Sequence, residues 1–315
     1  MQPDIIVTAP LPPFLYEPLK ADYRCYDYVK ASDPAALLAA DGGHIRGLVQ
    51  GGGTVTSPAL LDALPKLEII SVFGVGYDGV PTDYCRKRGI KVTNTPDVLT
   101  DDVADVALGL ILMTGRGFAR LSRFAQSGSW EKRSPELTTK LSGRTVGILG
   151  LGRIGKAIAE RVSAMGMKVS YTGRKPQDVA YKFIPDLAQL AAGVDFLVVA
   201  CPGGAATRNI VDGKVLAALG KKGTLINIAR GSIVDEPALV QALEQGIIGG
   251  AGLDVFANEP HIPPELLALE DRVVLLLHVG SATAETRKAM GDLCKANLDA
   301  WFAKGSVLTL IPELA

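Results

Sequence analysis

The chain has 315 residues, nearly half of them hydrophobic and about a fifth charged, a length suited to two domains and a composition ordinary for a globular enzyme. Lysine plus arginine equals aspartate plus glutamate at 33 each, so no global field draws it to nucleic acid or to an anionic membrane, and an anionic ligand must be met by a local cluster of donors. The opening MQPDIIVTAP does not read as a signal peptide, no apolar run reaches the roughly 18 residues of a membrane span, and four scattered cysteines read as reduced thiols, which together predict a cytoplasmic protein.

Short apolar runs rich in β-formers alternate with helical patterns along most of the chain, the signature of α/β architecture with parallel sheets. In the first third, strands are predicted at 4–8, 45–50, 67–73 and 91–94, and Ser57-Pro58 opens a helix with serine as its N-cap. Thr100-Asp101-Asp102 caps a long apolar helix over 103–114, with two acids where the helix dipole favours them. A polar stretch, 116–140, carries the isolated Trp130. A second series follows, with strands at 145–149, 168–172, 196–200, 224–228, 250–254 and 273–277, the six of a full dinucleotide fold. A last helix over 284–302 leads into a segment too short to be a domain, so it is expected to return to the first part. The predicted fold is α/β in two domains. A Rossmann, doubly wound dinucleotide-binding domain (100–284) is inserted into a smaller flavodoxin-like substrate domain (1–99 and 285–315), with closure about hinges near Leu99 and Ala284.

The strand at 145–149 runs into Gly150-Leu-Gly152-Arg153-Ile154-Gly155 and then a helical pattern, the setting that gives a GxGxxG its specificity. Gly150 permits the tight turn, Gly152 lets backbone approach a pyrophosphate, and Gly155 allows close helix–strand packing. An acid about 20 residues on would bind the ribose 2′-hydroxyl of NAD, but here the second strand ends in Gly173-Arg174-Lys175. An arginine can grip a 2′-phosphate that an aspartate would repel, so NADPH (NADP+) is predicted, with NADH as a weaker alternative.

Three later strands end in polar residues at the edge where doubly wound sheets bind ligands: Asn227-Ile-Ala-Arg230-Gly231, Gly252-Leu-Asp254 with Glu259-Pro260, and His278-Val-Gly280. Reduction of a keto acid needs a cation for carboxylate and carbonyl, a proton donor, and a group that keeps the donor protonated. Arg230, His278 and Glu259 are of those types, since a carboxylate beside imidazole favours imidazolium. Singly each has a bland structural reading; jointly, at three successive strand ends, they argue for catalysis. With three histidines and no metal-binding spacing, no metal is expected.

These motifs, in this order and over essentially the whole chain, resemble those of the D-isomer-specific 2-hydroxyacid dehydrogenases. The segments 94–105, Leu137-Thr-Thr-Lys140 and Glu285-Thr-Arg287 are similar in particular to the NADPH-preferring glyoxylate/hydroxypyruvate reductase branch. The resemblance implies Arg230 as substrate-binding and Glu259–His278 as the acid/base pair. It also implies that the amides of Val75 and Gly76, with Gly52 nearby, hold the substrate carboxylate. Consecutive N–H groups in a glycine turn do form anion nests. It places Cys201, Pro202, Thr207, Ile228, Asp254 and Gly280 on the nicotinamide side, and gives Trp130 either a reach into a neighbour's site in a homodimer or a packing role in a dimer arm. Two positions depart from the pattern: Leu277 stands where proline is expected before the histidine, and Gly203-Gly204-Ala205-Ala206 replaces a polar turn. A reductase of bulkier, phenyl-bearing keto acids, and a non-catalytic dinucleotide sensor, are the competing readings.

Overall fold

Every strand pairing within the two sheets of the computed structural model, which describes residues 2–315, is parallel. The chain divides into two units, Met1–Leu99 with Thr283–Ala315, and Thr100–Ala282. The second crossing falls two residues before the position expected from sequence.

The first unit holds β1 (Asp4–Val7), β2 (Arg24–Asp27), β3 (Gly47–Gly51), β4 (Ile69–Phe73) and β5 (Lys91–Thr93), in the order β2-β1-β3-β4-β5. This is the flavodoxin order. Ile5, Ile6 and Val7 lose nearly all contact with water, as strands covered on both faces do, each contributing roughly 1.5–3 kcal/mol of hydrophobic stabilisation. The helix Ala284–Lys304 closes one face: the Ser71 hydroxyl on β4 donates to the Cys294 carbonyl at 2.8 Å, and Gly291 admits Phe14. Ser57 caps the helix Pro58–Asp62 as expected, accepting the Leu60 N–H.

The second unit holds β6 (Thr145–Leu149), β7 (Lys168–Thr172), β8 (Lys182–Phe183), β9 (Phe196–Val199), β10 (Thr224–Asn227), β11 (Gly250–Leu253) and β12 (Val273–Leu275). Their order, β12-β11-β10-β9-β6-β7-β8, is the doubly wound one extended by a strand, with the reversal between β9 and β6. The long apolar helix starts three residues earlier than expected, at Thr100–Gly115. One first-turn acid, Asp101, does more than meet the helix dipole, together with Asp105 a turn further on. Arg161, on the helix Arg153–Ala164, bridges Asp101 at 2.9 Å and Asp105 at 2.6 Å and so joins the two helices. The polar stretch 116–140 contains the helix Phe118–Gln126 and a short turn, Ser129–Glu131. Among the described residues no helix is long and apolar enough to cross a membrane.

Candidate active site

At the sheet's reversal point, Gly150 turns the chain with φ of 97°, and a Cβ there would lie 2.7 Å from the backbone of Cys201. Cys201 is thus the residue the turn packs against. A Cβ on Gly155 would strike the Gly150 carbonyl oxygen at 2.2 Å, so these two glycines are demanded by packing. Gly152 differs. It is the N-cap of the helix that opens with Arg153 and Ile154, and nothing lies within 4 Å of where its Cβ would be. Open space beside the free N–H groups of a 12-residue helix is what a pyrophosphate requires, so the residues present fit a dinucleotide. Leu151 in this turn is held by Gln177, whose side-chain amide donates to its carbonyl at 2.8 Å.

Gly173, Arg174 and Lys175 follow the end of β7 and are exposed, with no acid among them. After β9, the Thr207 hydroxyl donates to the carbonyls of Pro202 at 2.8 Å and Gly204 at 3.3 Å, which closes the glycine–alanine turn that departs from the family pattern. Ile228 is buried directly after β10.

Arg230, Glu259 and His278 come from segments that follow the C-terminal ends of three adjacent strands, β10, β11 and β12. Asn227 shapes the arginine's turn: its Oδ1 accepts the Ala229 N–H at 3.1 Å and its Nδ2 donates to the Arg230 carbonyl at 2.9 Å. Glu259 Oε1 accepts the Phe256 N–H at 3.0 Å, leaving Oε2 to meet His278 Nδ1 at 2.7 Å. Burial alone would raise the Glu259 carboxyl, but the hydrogen bonds from His278 and Phe256, with the charges of His278 and Arg230, hold it below the usual carboxylate range. That the Arg230 charge is felt at Glu259 puts all three side chains in one electrostatic neighbourhood.

Two features of this region escaped the sequence reading. First, His278 adopts φ of 55°, left-handed backbone that costs a non-glycine residue about 1 kcal/mol or more. Asp254, only 1% exposed, holds it there. Its carbonyl accepts the His278 N–H at 2.6 Å, while Oδ1 and Oδ2 accept the Val279 and Gly280 N–H groups at 2.8 and 2.9 Å. Burial drives the Asp254 carboxyl above its ordinary range despite these bonds. Second, a Cβ on Gly231 would sit 1.9 Å from the Phe256 carbonyl carbon, so the glycine after Arg230 lets the Glu259 segment pass. The signals were present, a glycine after the arginine and an aspartate directly after β11, but their partners are distant in sequence.

In the other unit, Gly74 has φ of 154° and lies against Gly52, whose N–H donates to the Phe73 carbonyl at 3.2 Å. The N–H groups of Val75 and Gly76 donate to no acceptor among the described residues. Trp130 is 73% exposed. Among the described residues no three metal-ligating side chains cluster.

A glycine turn against a helix N-terminus at the reversal of a doubly wound sheet, with a carboxylate-held imidazole and an arginine at neighbouring strand ends, defines a nicotinamide-dependent oxidoreductase. The family profile for the D-isomer specific 2-hydroxyacid dehydrogenase NAD-binding domain matches residues 108–280. The chain is 48% identical to glyoxylate/hydroxypyruvate reductase A of Arabidopsis thaliana and 46% identical to hydroxyphenylpyruvate reductase of Plectranthus scutellarioides, over 97% of each chain. It superposes with a TM-score of 0.91, at 43% identity over 100% of this chain and 98% of the other, on an NADPH-dependent glyoxylate/hydroxypyruvate reductase of Sinorhizobium meliloti solved with NADP and malonate. The chain belongs to the D-isomer-specific 2-hydroxyacid dehydrogenase family. Its substrate is accordingly a small 2-keto or 2-hydroxy acid.

Proposed function

We propose that the protein reduces small 2-keto acids, glyoxylate and hydroxypyruvate foremost, to glycolate and D-glycerate, with NADPH preferred. The observation that carries this reading is the 2.7 Å contact between Glu259 and His278 Nδ1 in the field of Arg230. With Nδ1 engaged, Nε2 is the atom left to deliver a proton, and Glu259 fixes the ring's orientation. Arg230 binds the carboxylate and polarises the carbonyl, and the Val75 and Gly76 amides are further donors to the carboxylate. When bound, the reduced nicotinamide supplies the hydride. A positioned general acid of this kind contributes about 10²–10⁴ in rate. A non-catalytic sensor would need the glycine turn but no held imidazole.

Gly150, Gly152, Arg153, Ile154 and Gly155 are the proposed pyrophosphate site, and Cys201, Pro202, Thr207, Ile228, Asp254 and Gly280 the nicotinamide side. NADPH over NADH rests on Arg174 and Lys175, exposed at the end of β7 where an acid would select NAD. A homodimer rests on the segment 116–140, where Trp130 and Leu137 are 73% and 99% exposed and Phe118 also faces outward, an apolar set that a second copy would cover. Free cysteines suit a reducing, cytoplasmic location. A bulkier substrate is favoured by one observation, the hydroxyphenylpyruvate reductase at 46% identity.

A panel of keto acids tested with NADPH and NADH decides among these. Fastest turnover is expected for glyoxylate or hydroxypyruvate with NADPH; preference for a phenyl-bearing acid selects the second reading, and no turnover with any keto acid refutes both.

A further inference from the structure

We propose that Asn94 is a positioning residue for the substrate carboxylate, acting through the peptide planes of the Val75–Gly76 nest; this rests on the reading that those amides hold the carboxylate. The peptide bonds at 74–75 and 75–76 are trans, so in each planar unit the N–H points opposite to the carbonyl of the preceding residue. Fixing a carbonyl from one side therefore aims the next N–H to the other. Both carbonyls are fixed, and by adjacent residues. The Asn94 side-chain amide donates to the Val75 carbonyl at 2.8 Å, which sets the Gly76 N–H. The Thr95 N–H donates to the Gly74 carbonyl at 2.9 Å, which sets the Val75 N–H. The two amides so presented donate to nothing else among the described residues.

Asn94 is itself locked. Its carbonyl accepts the Thr309 hydroxyl at 2.6 Å, and that hydroxyl accepts from the side-chain amide of buried Asn297 at 2.8 Å. Asn297 Oδ1 in turn takes the N–H groups of Leu308 and Thr309 at 2.9 and 3.0 Å. The segment 308–311 is thereby bound to the back of the nest, with the Ile311 N–H on the Val92 carbonyl at 3.0 Å. A nest whose planes are held this way presents its donors before the anion arrives, which spares the ordering cost on binding.

The test uses the full chain and compares wild type, Asn94→Ala and the near-isosteric Asn94→Asp, which puts an acceptor against the Val75 carbonyl. Three quantities are read: KM for the best keto acid, affinity for the reduced dinucleotide, and calorimetric binding of oxamate, a keto-acid mimic, to the dinucleotide-loaded protein. Both variants should raise KM and weaken oxamate about tenfold, the scale of one well-placed hydrogen bond, with dinucleotide affinity unchanged. In Asn94→Asp the loss should shrink as the pH falls and the carboxyl regains a proton to donate, a response that a general loss of packing does not give. Unchanged KM and oxamate binding in folded Asn94→Asp overturns the proposal, as does a parallel loss of dinucleotide affinity. Wild type without turnover on any keto acid or affinity for oxamate refutes the underlying reading instead.

Discussion

Asp254→Asn separates two roles for one residue. Family resemblance puts Asp254 beside the nicotinamide, whereas its contacts make it the holder of residues 278–280. The substitution keeps the volume and one acceptor oxygen, but turns the other into an amine facing the Val279 or Gly280 N–H, now 2.8 and 2.9 Å from a carboxylate. A buried N–H left without an acceptor costs about 1–3 kcal/mol. Against this stands relief of a buried charge: the Asp254 carboxyl is pushed above its usual range, so burial outweighs the bonds it receives and the ionised form is a net cost to the fold. The two terms oppose each other globally, and thermal stability should change little. Locally they do not cancel, because the lost acceptor is what secures left-handed backbone at His278. A cost of 1–3 kcal/mol there lowers the population of the productive imidazole by roughly 5- to 150-fold. The expected result is kcat reduced by that factor, with dinucleotide affinity near wild type, followed by nicotinamide absorbance and by fluorescence titration. Weakened dinucleotide binding at full kcat would refute the holding role and leave the nicotinamide contact.

Replacing Arg174 and Lys175 by neutral residues should weaken NADPH far more than NADH in titrations; equal loss for both removes the 2′-phosphate assignment. Gly231→Ala forces a Cβ to within 1.9 Å of the Phe256 backbone, an overpacking of about 3 kcal/mol or more that should lower Tm by about 10 °C; an unchanged melting curve contradicts the close passage. The two carboxyls of the region should act oppositely on stability in acid. Glu259, depressed in the fold, contributes stability above its unfolded pKa that is lost as pH falls through its folded one. Asp254, raised, contributes below its unfolded pKa and loses that contribution as pH rises through its folded one. Between about pH 5 and 3, chemical unfolding of Glu259→Gln should therefore depend less steeply on pH than wild type, and Asp254→Asn more steeply; equal slopes would refute the assignment.

What sequence could reveal divides along a physical line. Strands buried on both faces announce themselves as continuous apolar runs, and every such run became a strand. The two missed strands are those with least to bury: β2 reads Arg-Cys-Tyr-Asp on a sheet edge, and β8 spans two residues, Lys182 and Phe183, on another. Within 116–140 the helix Phe118–Gln126 does carry an apolar stripe, Phe118, Leu121 and Phe124, but charged and polar residues on either side and only nine residues of length hid it, and none of the three is fully buried.

The site divides in the same way. Features that lie within a short stretch, such as Gly152 at a helix N-terminus or exposed cations in place of an acid after β7, are readable from local context. Residues that act by holding others are not. Asp254 acts 24 to 26 residues away, and Asn94 reaches Val75 across 19, through bonds to backbone atoms that every residue type possesses. Such bonds leave no trace in the identity of the residue held. Nothing about Val75 records that its carbonyl is clamped, and nothing about His278 records its φ. The Glu259–His278 contact could be inferred because imidazole is scarce, three histidines in the chain, and a carboxylate is its chemically distinctive partner. The parts that fix their angles became visible only once the chain was folded, since their function lies in geometry and not in reactivity.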